Sequence, residues 1–224
     1  MASRYCYDDG VLKNSYDIHD ACELEKVERA VSTYRIAELE LCKKEYSDIF
    51  TVDGYLALHK FIFQDIYGSK DIHGHNIDPV IAGNIRDEAI HKSNAPYFEG
   101  VTPFCYPSFI YEQLKNNLRK MKDGIMAIKS REDLLQYISH YYDEINLIHP
   151  FREGNGRTLR LYMEFFVRYF NSFEVMDPYE IYYSRWSALD REELLKSSIY
   201  SSITLDTDGI KQCYDKVLIK KKSI

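Results

Sequence analysis

Helix-start signals recur along the 224-residue chain, each followed by apolar residues at the three-to-four-residue spacing of one helix face. Asp20 with Glu23, and Ser130 with Asp133, form capping-box patterns, in which a side-chain oxygen accepts a hydrogen bond from a free backbone N–H of the first turn. The chain is therefore predicted to be mainly α-helical, with further helices at 55–66, at 109–121 behind Ser108, and at 158–170.

A tetrapeptide in the last quarter of the chain carries the clearest of these signals. Asp177 is a candidate N-cap, Pro178 suits the first helical position, and Glu180 places an acid in the first turn. This combination predicts a helix over 181–189.

The stretch 68–107 interrupts the helical pattern. It holds four of the six prolines and has no helical spacing of apolar residues, so it predicts loop with one short β-hairpin. The chain has no internal repeat and no linker rich in Gly, Pro or Ser, and its length suits one hydrophobic core. We therefore expect a single domain.

The formal net charge of −6 argues against general nucleic-acid binding, because sequence-independent binding needs many cations to displace counterions from phosphates. Lys220, Lys221 and Lys222 do not reverse this argument, since three lysines at a terminus predict a solvated tail. No nucleic-acid partner is expected.

The sequence also predicts a cytosolic protein with no membrane partner. No apolar run is long enough to cross a bilayer, and the start of the chain lacks the basic and apolar segments of a signal peptide. The cysteines are odd in number and include no C-x-x-C pair, which favours reduced thiols over disulfides or a zinc site. They are Cys6, Cys22, Cys42, Cys105 and Cys213.

The segment 149–160 lies between two predicted helices and reads His-Pro-Phe-Arg-Glu-Gly-Asn-Gly-Arg-Thr-Leu-Arg. A turn that leads into a helix directs backbone N–H groups outward at the positive end of the helix dipole, which favours phosphate. Gly154, Asn155 and Gly156 can adopt positive-φ conformations that point successive N–H groups into one concavity. The segment therefore predicts a phosphate-binding site.

Charged side chains extend this predicted site. Arg157 and Arg160 are three residues apart, so both guanidinium groups can reach one side of the first helical turn and bind further phosphate oxygens. A triphosphate would suit this arrangement. Glu153 offers one carboxylate for Mg²⁺, which usually takes few protein ligands and completes its shell with nucleotide and water oxygens.

His149 stands at the end of the preceding helix, before Pro150, and histidine can accept a proton near neutral pH. A base, a metal-bound triphosphate and an N–H cradle together indicate attack of a hydroxyl on phosphorus. Each part alone has a structural alternative, because histidines before prolines, Gly-Asn-Gly turns and charged helix faces occur without catalytic roles. Phe151 is interpreted as core.

This segment resembles the signature of the Fic-domain family: His-Pro-Phe, any residue, Asp or Glu, then Gly-Asn-Gly-Arg, and a further Arg three residues on. Every fixed position of the signature is present. The similarity continues in the same order through 24–28, 58–67 and 82–86. The opening segment 5–14 is similar to the lead-in of family members that act as toxins or as effectors sent into host cells.

The resemblance implies a compact Fic-type helical bundle that transfers AMP from Mg-ATP to a Ser, Thr or Tyr hydroxyl of a target protein. In this reaction, His149 would be the base and Glu153 would be the magnesium ligand. A β-hairpin flap would pair with the target backbone and register its hydroxyl. The remaining roles would be the phosphate cradle (Gly154, Asn155, Gly156), the β/γ-phosphate contacts (Arg157, Arg160) and the target-facing part of the flap (Ile90, His91, Lys92).

The resemblance also implies a division of the chain. A lead-in over 1–20 would precede a Fic domain over 21–215 and a basic tail over 216–224. Compared with the family pattern, the domain carries an insertion, in which His73 and His75 are expected to be exposed rather than metal-bound. The predicted internal segments are the insertion (68–81), the flap region (about 86–105) and the catalytic loop (149–160).

Two alternatives to AMP transfer stay open. Relatives with a degenerate cradle transfer a phosphate, or other nucleotidyl or phospho-alcohol groups, and the intact cradle of this chain favours AMP. A catalytically silent helical module that binds ATP or a protein partner is the second alternative.

The resemblance also implies how the activity would be inhibited. Inhibited relatives neutralise the arginine that matches Arg160 with a glutamate from a helix of pattern Ser or Thr, three residues, Glu, then Gly or Asn. This chain lacks the pattern, and the nearest candidates, Asp208 and Glu112, do not fit it. We therefore expect Arg160 to be free in the isolated chain, and a small antitoxin-like partner to supply the glutamate in trans.

Overall fold

A computed structural model describes residues 3–42 and 48–221 of the chain. In this part, the helices are α1 (Ala21–Cys42), α2 (Val52–Phe63), α3 (Pro107–Asp123), α4 (Arg131–Ile148), α5 (Asn155–Asn171), α6 (Ala188–Thr204) and α7 (Asp208–Val217). The strands are β1 (His91–Ser93), β2 (Val101–Pro103), β3 (Tyr179–Glu180) and β4 (Ile219–Lys220). The prediction of a mainly α-helical bundle with a short β-hairpin before the catalytic segment is confirmed.

Helix α5 forms the centre of the bundle. Leu161, Met163 and Phe166 on it are fully buried, because the helix is enclosed by α2 on one side and α4 on the other. Helix α4 also packs against α3, α6 and α7. The segment between α4 and α5, which holds the predicted catalytic loop, is therefore tied to the two most enclosed helices.

The predicted helix starts are largely confirmed. Ser130 accepts a hydrogen bond from Asp133 N at 3.1 Å, and Asp20 accepts one from Glu23 N at 2.8 Å. Two helices begin three residues earlier than expected. Thr51 caps α2, and α5 begins at Asn155.

Ser108 does not cap α3, so this prediction is wrong. The helix begins at Pro107, behind Tyr106, and no side chain forms a cap hydrogen bond. Proline at the first helical position needs no N–H partner, which removes one of the donors that a cap would satisfy.

The predicted helix over 181–189 is also wrong. Asn171 accepts a hydrogen bond from Tyr179 N at 3.1 Å and donates one to Tyr179 O at 2.6 Å, which holds the segment extended. Residues 179–180 pair with β4, and the next α-helix begins only after Ser187, which forms the actual capping box with Asp190. Tertiary hydrogen bonds thus override a local signal.

The tail is more ordered than predicted, because Lys220 belongs to β4 and pairs with Tyr179. Lys221 N donates to Pro178 O at 2.8 Å. Lys222 and the side chain of Cys42 lie outside the described residues. The other four cysteines have free thiols.

The insertion 68–81 forms a surface loop on the lead-in segment. His73 and His75 are exposed and lie near carboxylates, with His73 Nε2 3.5 Å from Asp17 and His75 Nδ1 3.0 Å from Asp71. In the described part of the chain, no helix is long and apolar enough to cross a membrane.

Candidate active site

His149 follows the last residue of α4 and adopts a left-handed backbone conformation, with φ 48° and ψ 61°. This conformation turns the chain sharply away from the helix axis. As a result, the imidazole lies under the flap, where its ring stacks on Phe104 with a centroid distance of 3.7 Å.

The hydrogen bonding of His149 defines its tautomer. Nδ1 lies 3.2 Å from the carbonyl oxygen of Asn146, so Nδ1 carries the proton and donates it there. Nε2 therefore keeps a lone pair. Burial lowers the pKa of His149 to about 3, and the nearby cations Lys92 and Arg86 contribute to this shift, so the ring is neutral at physiological pH.

Helix α5 begins immediately after Gly154, which has φ 82°. A Cβ at this position would lie 2.4 Å from the ring of Phe63, so only glycine fits. Asn155 and Gly156 are the first helical residues, and the prediction that all three cradle residues have positive φ is wrong. The free N–H groups at the α5 N-terminus remain a suitable anion site.

The side chain of Asn155 holds the loop rather than facing outward. Its amide donates to Phe151 O at 2.8 Å and accepts from Phe151 N at 2.9 Å. Phe151 is fully buried and stacks on His59 at 3.6 Å, as expected for a loop anchor. His59 Nε2 in turn donates to Glu153 O at 3.0 Å, which links α2 to the loop.

Arg157 is held by α1 and α2. Its guanidinium forms an ion pair with the buried Glu28, donates to Ser32 Oγ at 3.0 Å, and lies 4.8 Å from the ring centroid of Phe63. Glu28 also accepts a hydrogen bond from Tyr67. Burial lowers the pKa of Arg157 to about 10, which leaves it charged at neutral pH.

Arg160 lies one turn further along α5 and is 9% exposed. Nη2 donates to Tyr183 Oη at 3.3 Å, and Nε is buried without a partner among the described residues. No carboxylate of that part of the chain lies within 4.0 Å of this guanidinium. Asp208 at the start of α7 and Glu112, near Lys115 on α3, do not contact it.

Glu153 is suited to a single metal contact. Oε1 accepts from Gly154 N at 2.8 Å and lies 3.5 Å from Arg157, while Oε2 has no hydrogen-bond partner within the described residues. No group of three or more His, Cys, Asp or Glu residues that could hold a metal occurs at 3–42 or 48–221. A magnesium ion here would therefore take most of its ligands from phosphate and water, which is its usual preference.

Glu153, Arg157 and Arg160 line one cavity of about 710 Å³, whereas His149 and residues 154–156 are not among its lining residues. Its lining combines four arginines, three glutamates and aromatic residues. Trp186, like Arg160, has a buried N–H without a partner among the described residues. Unsatisfied donors beside a helix N-terminus fit a ligand rich in acceptor oxygens. The lining includes Glu28, Glu153, Arg157, Arg160, Tyr183 and Trp186.

The flap is a two-stranded antiparallel pair in which Lys92 lies opposite Thr102. Of the predicted target-facing residues, Ile90 precedes β1, and His91 and Lys92 lie within it and are exposed. Thr102 faces the bundle, where Oγ1 donates to Asn94 Oδ1 at 2.8 Å and lies 2.9 Å from Ser202 Oγ on α6. The flap is therefore attached to α6.

Arg86 joins the flap to the catalytic loop. It is 1% exposed and donates to the carbonyl oxygens of His149 at 2.8 Å and Cys105 at 2.6 Å. No motif or spacing in the sequence indicated roles for Arg86, Glu28 or Tyr183. Arg86 and Glu28 stood in segments that resemble the family, but nothing in their spacing predicted these contacts.

The comparisons with known proteins match this chain to one family. The model of the Fic/DOC family matches residues 49–167. Protein adenylyltransferase VbhT of Bartonella schoenbuchensis is 30% identical over 194 residues, which are 86% of this chain and 34% of that protein. Probable protein adenylyltransferase y4lH of Sinorhizobium fredii is 30% identical over 162 residues, 71% of each chain.

Among solved structures, the BepC effector of Bartonella tribocorum with bound AMPPNP has a TM-score of 0.76 and 16% identity, and the alignment covers 97% of both chains. This similarity supports the fold. The chain spans about a third (34%) of the length of VbhT. The match to the family model and the similarity to y4lH show that the chain belongs to the Fic/DOC family.

Proposed function

We propose that this chain transfers AMP from Mg-ATP to a Ser, Thr or Tyr hydroxyl of a target protein. The observation that carries the proposal is the tautomer of His149. Its Nδ1 proton is committed to Asn146 O, so Nε2 is available as a base next to the loop that leads into the α5 N-terminus. Relatives named protein adenylyltransferase support the same activity.

The proposed reaction needs no reactant besides ATP and the target hydroxyl. The target hydroxyl oxygen forms a bond to the α-phosphorus, and the bond from that phosphorus to the oxygen bridging to the β-phosphate breaks. The hydroxyl proton moves to His149 Nε2, and pyrophosphate leaves with the electron pair of the broken bond. A neutral histidine can accept this proton.

The residues of the cavity would bind the nucleotide. Backbone N–H groups at the α5 N-terminus and the guanidinium groups of Arg157 and Arg160 are donors for phosphate oxygens. Glu153 would hold magnesium through its free Oε2, and the bound ion would supply charge neutralisation of the phosphates. BepC, which shares the fold, binds AMPPNP.

The target would bind at the flap. Among the described residues β1 pairs only with β2, so an extended target segment could add to its other edge as a further strand. Ile90, His91 and Lys92 would then lie beside the target backbone, with its hydroxyl toward His149.

The experiment compares ATP labelled on the α-phosphate with ATP labelled on the γ-phosphate, incubated with the purified chain and a cell lysate. Protein-bound label from the α-phosphate only is the expected result, and mass spectrometry then identifies the acceptor. Label from the γ-phosphate would indicate phosphotransfer and contradict the proposal. Bound ATP without any transfer would favour a silent binding module.

His149→Asn is the matched inactive variant, because asparagine tolerates the left-handed backbone of this position better than alanine. Both His149→Asn and His149→Ala should abolish transfer and leave ATP binding nearly unchanged. An equal loss of ATP affinity would assign His149 a structural role instead.

A further inference from the structure

Arg86 is a buried cation without a carboxylate partner among the described residues. Its guanidinium donates to four carbonyl oxygens: Nε to His149 at 2.8 Å, Nη1 to Glu88 at 2.6 Å, and Nη2 to Cys105 at 2.6 Å and Ile148 at 3.3 Å. Burial of an uncompensated guanidinium is costly, so these carbonyl dipoles are what stabilises its charge.

The four acceptors belong to three segments that are separate in sequence. Glu88 precedes the flap, Cys105 follows it, and Ile148 and His149 end α4 and begin the catalytic loop. Two backbone hydrogen bonds connect the same segments: Arg86 N donates to Pro150 O at 2.9 Å, and Cys105 N donates to Leu147 O at 3.0 Å.

Each end of the flap is thus connected to the backbone of the catalytic histidine through one planar side chain. These carbonyl groups lie outside regular strand pairing or at the open end of α4, so no ladder satisfies them together. A lysine at position 86 could not make the same contacts. Its three N–H donors share one nitrogen, whereas the guanidinium carries five donors on three nitrogens in a plane.

We propose that Arg86 is a positioning residue, which sets the distance between the flap and His149 so that a hydroxyl registered by the flap meets Nε2. This inference rests on the proposed AMP transfer. Arg86 itself contacts neither the cavity nor the reacting atoms; it acts through the backbone of His149 and of the flap.

The test uses Arg86→Lys and Arg86→Met in the full chain, with Arg35→Lys as the control. Arg35 is a partly exposed arginine that links α1 to the residues after α2 through Asp65 and lies outside the site. We expect kcat for AMP transfer to fall about 100-fold in both Arg86 variants, the effect of a displacement of about 1 Å at the reacting groups. The Kd for ATP should stay unchanged, because Arg157, Arg160 and the α5 N-terminus keep their contacts. Arg35→Lys should leave kcat and Kd unchanged.

Two kinetic results would overturn the proposal: wild-type kcat in Arg86→Lys, or a loss of ATP affinity equal to the loss of kcat. Amide hydrogen exchange provides a readout that does not need activity. In folded Arg86→Lys, the amides of Phe104 and Cys105 should exchange faster, while those of α5 do not change. Unchanged exchange at the flap, or failure of both variants to fold, would also reject a positioning role.

The failure of the proposed function is distinguishable from the failure of this inference. If the wild type transfers no label from ATP, the proposed function fails, and the exchange at Phe104 and Cys105 still decides whether Arg86 holds the flap to the loop. If the wild type transfers AMP and Arg86→Lys does so equally well, only the inference fails.

Discussion

The ring of Phe104 stacks on the imidazole of His149, with centroids 3.7 Å apart and planes inclined by 12°. Phe104 directly follows β2, so the flap covers His149, the proposed base. The stack removes water from one face of the ring, and the Asn146 carbonyl fixes the proton on Nδ1. The imidazole of His149 is therefore neutral, with its proton on Nδ1.

The burial of His149 beneath Phe104 predicts an unusual pH dependence of kcat. Because burial lowers the pKa of His149 to about 3, the base is deprotonated above that pH, and the acidic limb of kcat should lie well below the ordinary 6.5. Phe104→Ala would expose the ring and raise its pKa, so the limb should move to higher pH. Phe109→Ala, at an exposed aromatic of α3, is the control. A wild-type limb near 6.5, or no movement in Phe104→Ala, would contradict this prediction.

Glu153→Gln should weaken the magnesium dependence of binding and rate together. Glutamine can still accept the hydrogen bond from Gly154 N, so the variant removes the charge and keeps the loop contact. Titrations of activity and ATP binding with magnesium measure the effect, and Glu144→Gln on the exposed side of α4 serves as the control. Normal magnesium dependence in Glu153→Gln would remove Glu153 from the site.

Gly154→Ala should destabilise the fold by about 3 kcal/mol, from the strained backbone and the contact with Phe63. Gly74→Ala separates the two causes, because Gly74 has φ 84° but no atom lies within 4 Å of the place that a Cβ would take. It should cost about 1 kcal/mol. Urea unfolding measures both variants, and equal losses would show that the Phe63 contact does not matter.

Thr102→Val should raise the KM for the target protein and leave the Kd for ATP unchanged. The substitution keeps the shape of the side chain but removes the hydroxyl that connects Asn94 to Ser202 on α6. Thr204→Val, whose hydroxyl donates to Tyr200 O within its own helix, is the matched control. A rise in KM of equal size in both variants would exclude the attachment of the flap as the cause.

Asp208→Ala and Glu112→Ala should have the activity of the wild type, because neither carboxylate contacts Arg160. Glu28, one of the carboxylates that line the cavity, forms an ion pair with Arg157 and not with Arg160. We propose that a glutamate from a separate small partner reaches Arg160, and the purified chain should therefore be active alone. A dormant wild type that either substitution activates would show an internal brake.

The helical class and the candidate site segment could be predicted from the sequence, since both depend on local physics. Capping at Ser130, a helix that follows the Gly-Asn-Gly turn and the spacing of Arg157 and Arg160 involve neighbours a few residues apart. The His149 to Arg160 segment could thus be interpreted before its surroundings were known.

Tertiary structure alone decided which groups surround that segment. Glu28 meets Arg157 across 129 positions, and Arg86 meets His149 across 63, so no spacing rule could predict either contact. The error at 181–189 has the same origin, because hydrogen bonds from Asn171 and pairing with β4 outweigh a local helix signal. The pKa of His149 depends on burial beneath the flap, and burial exists only once the chain has folded.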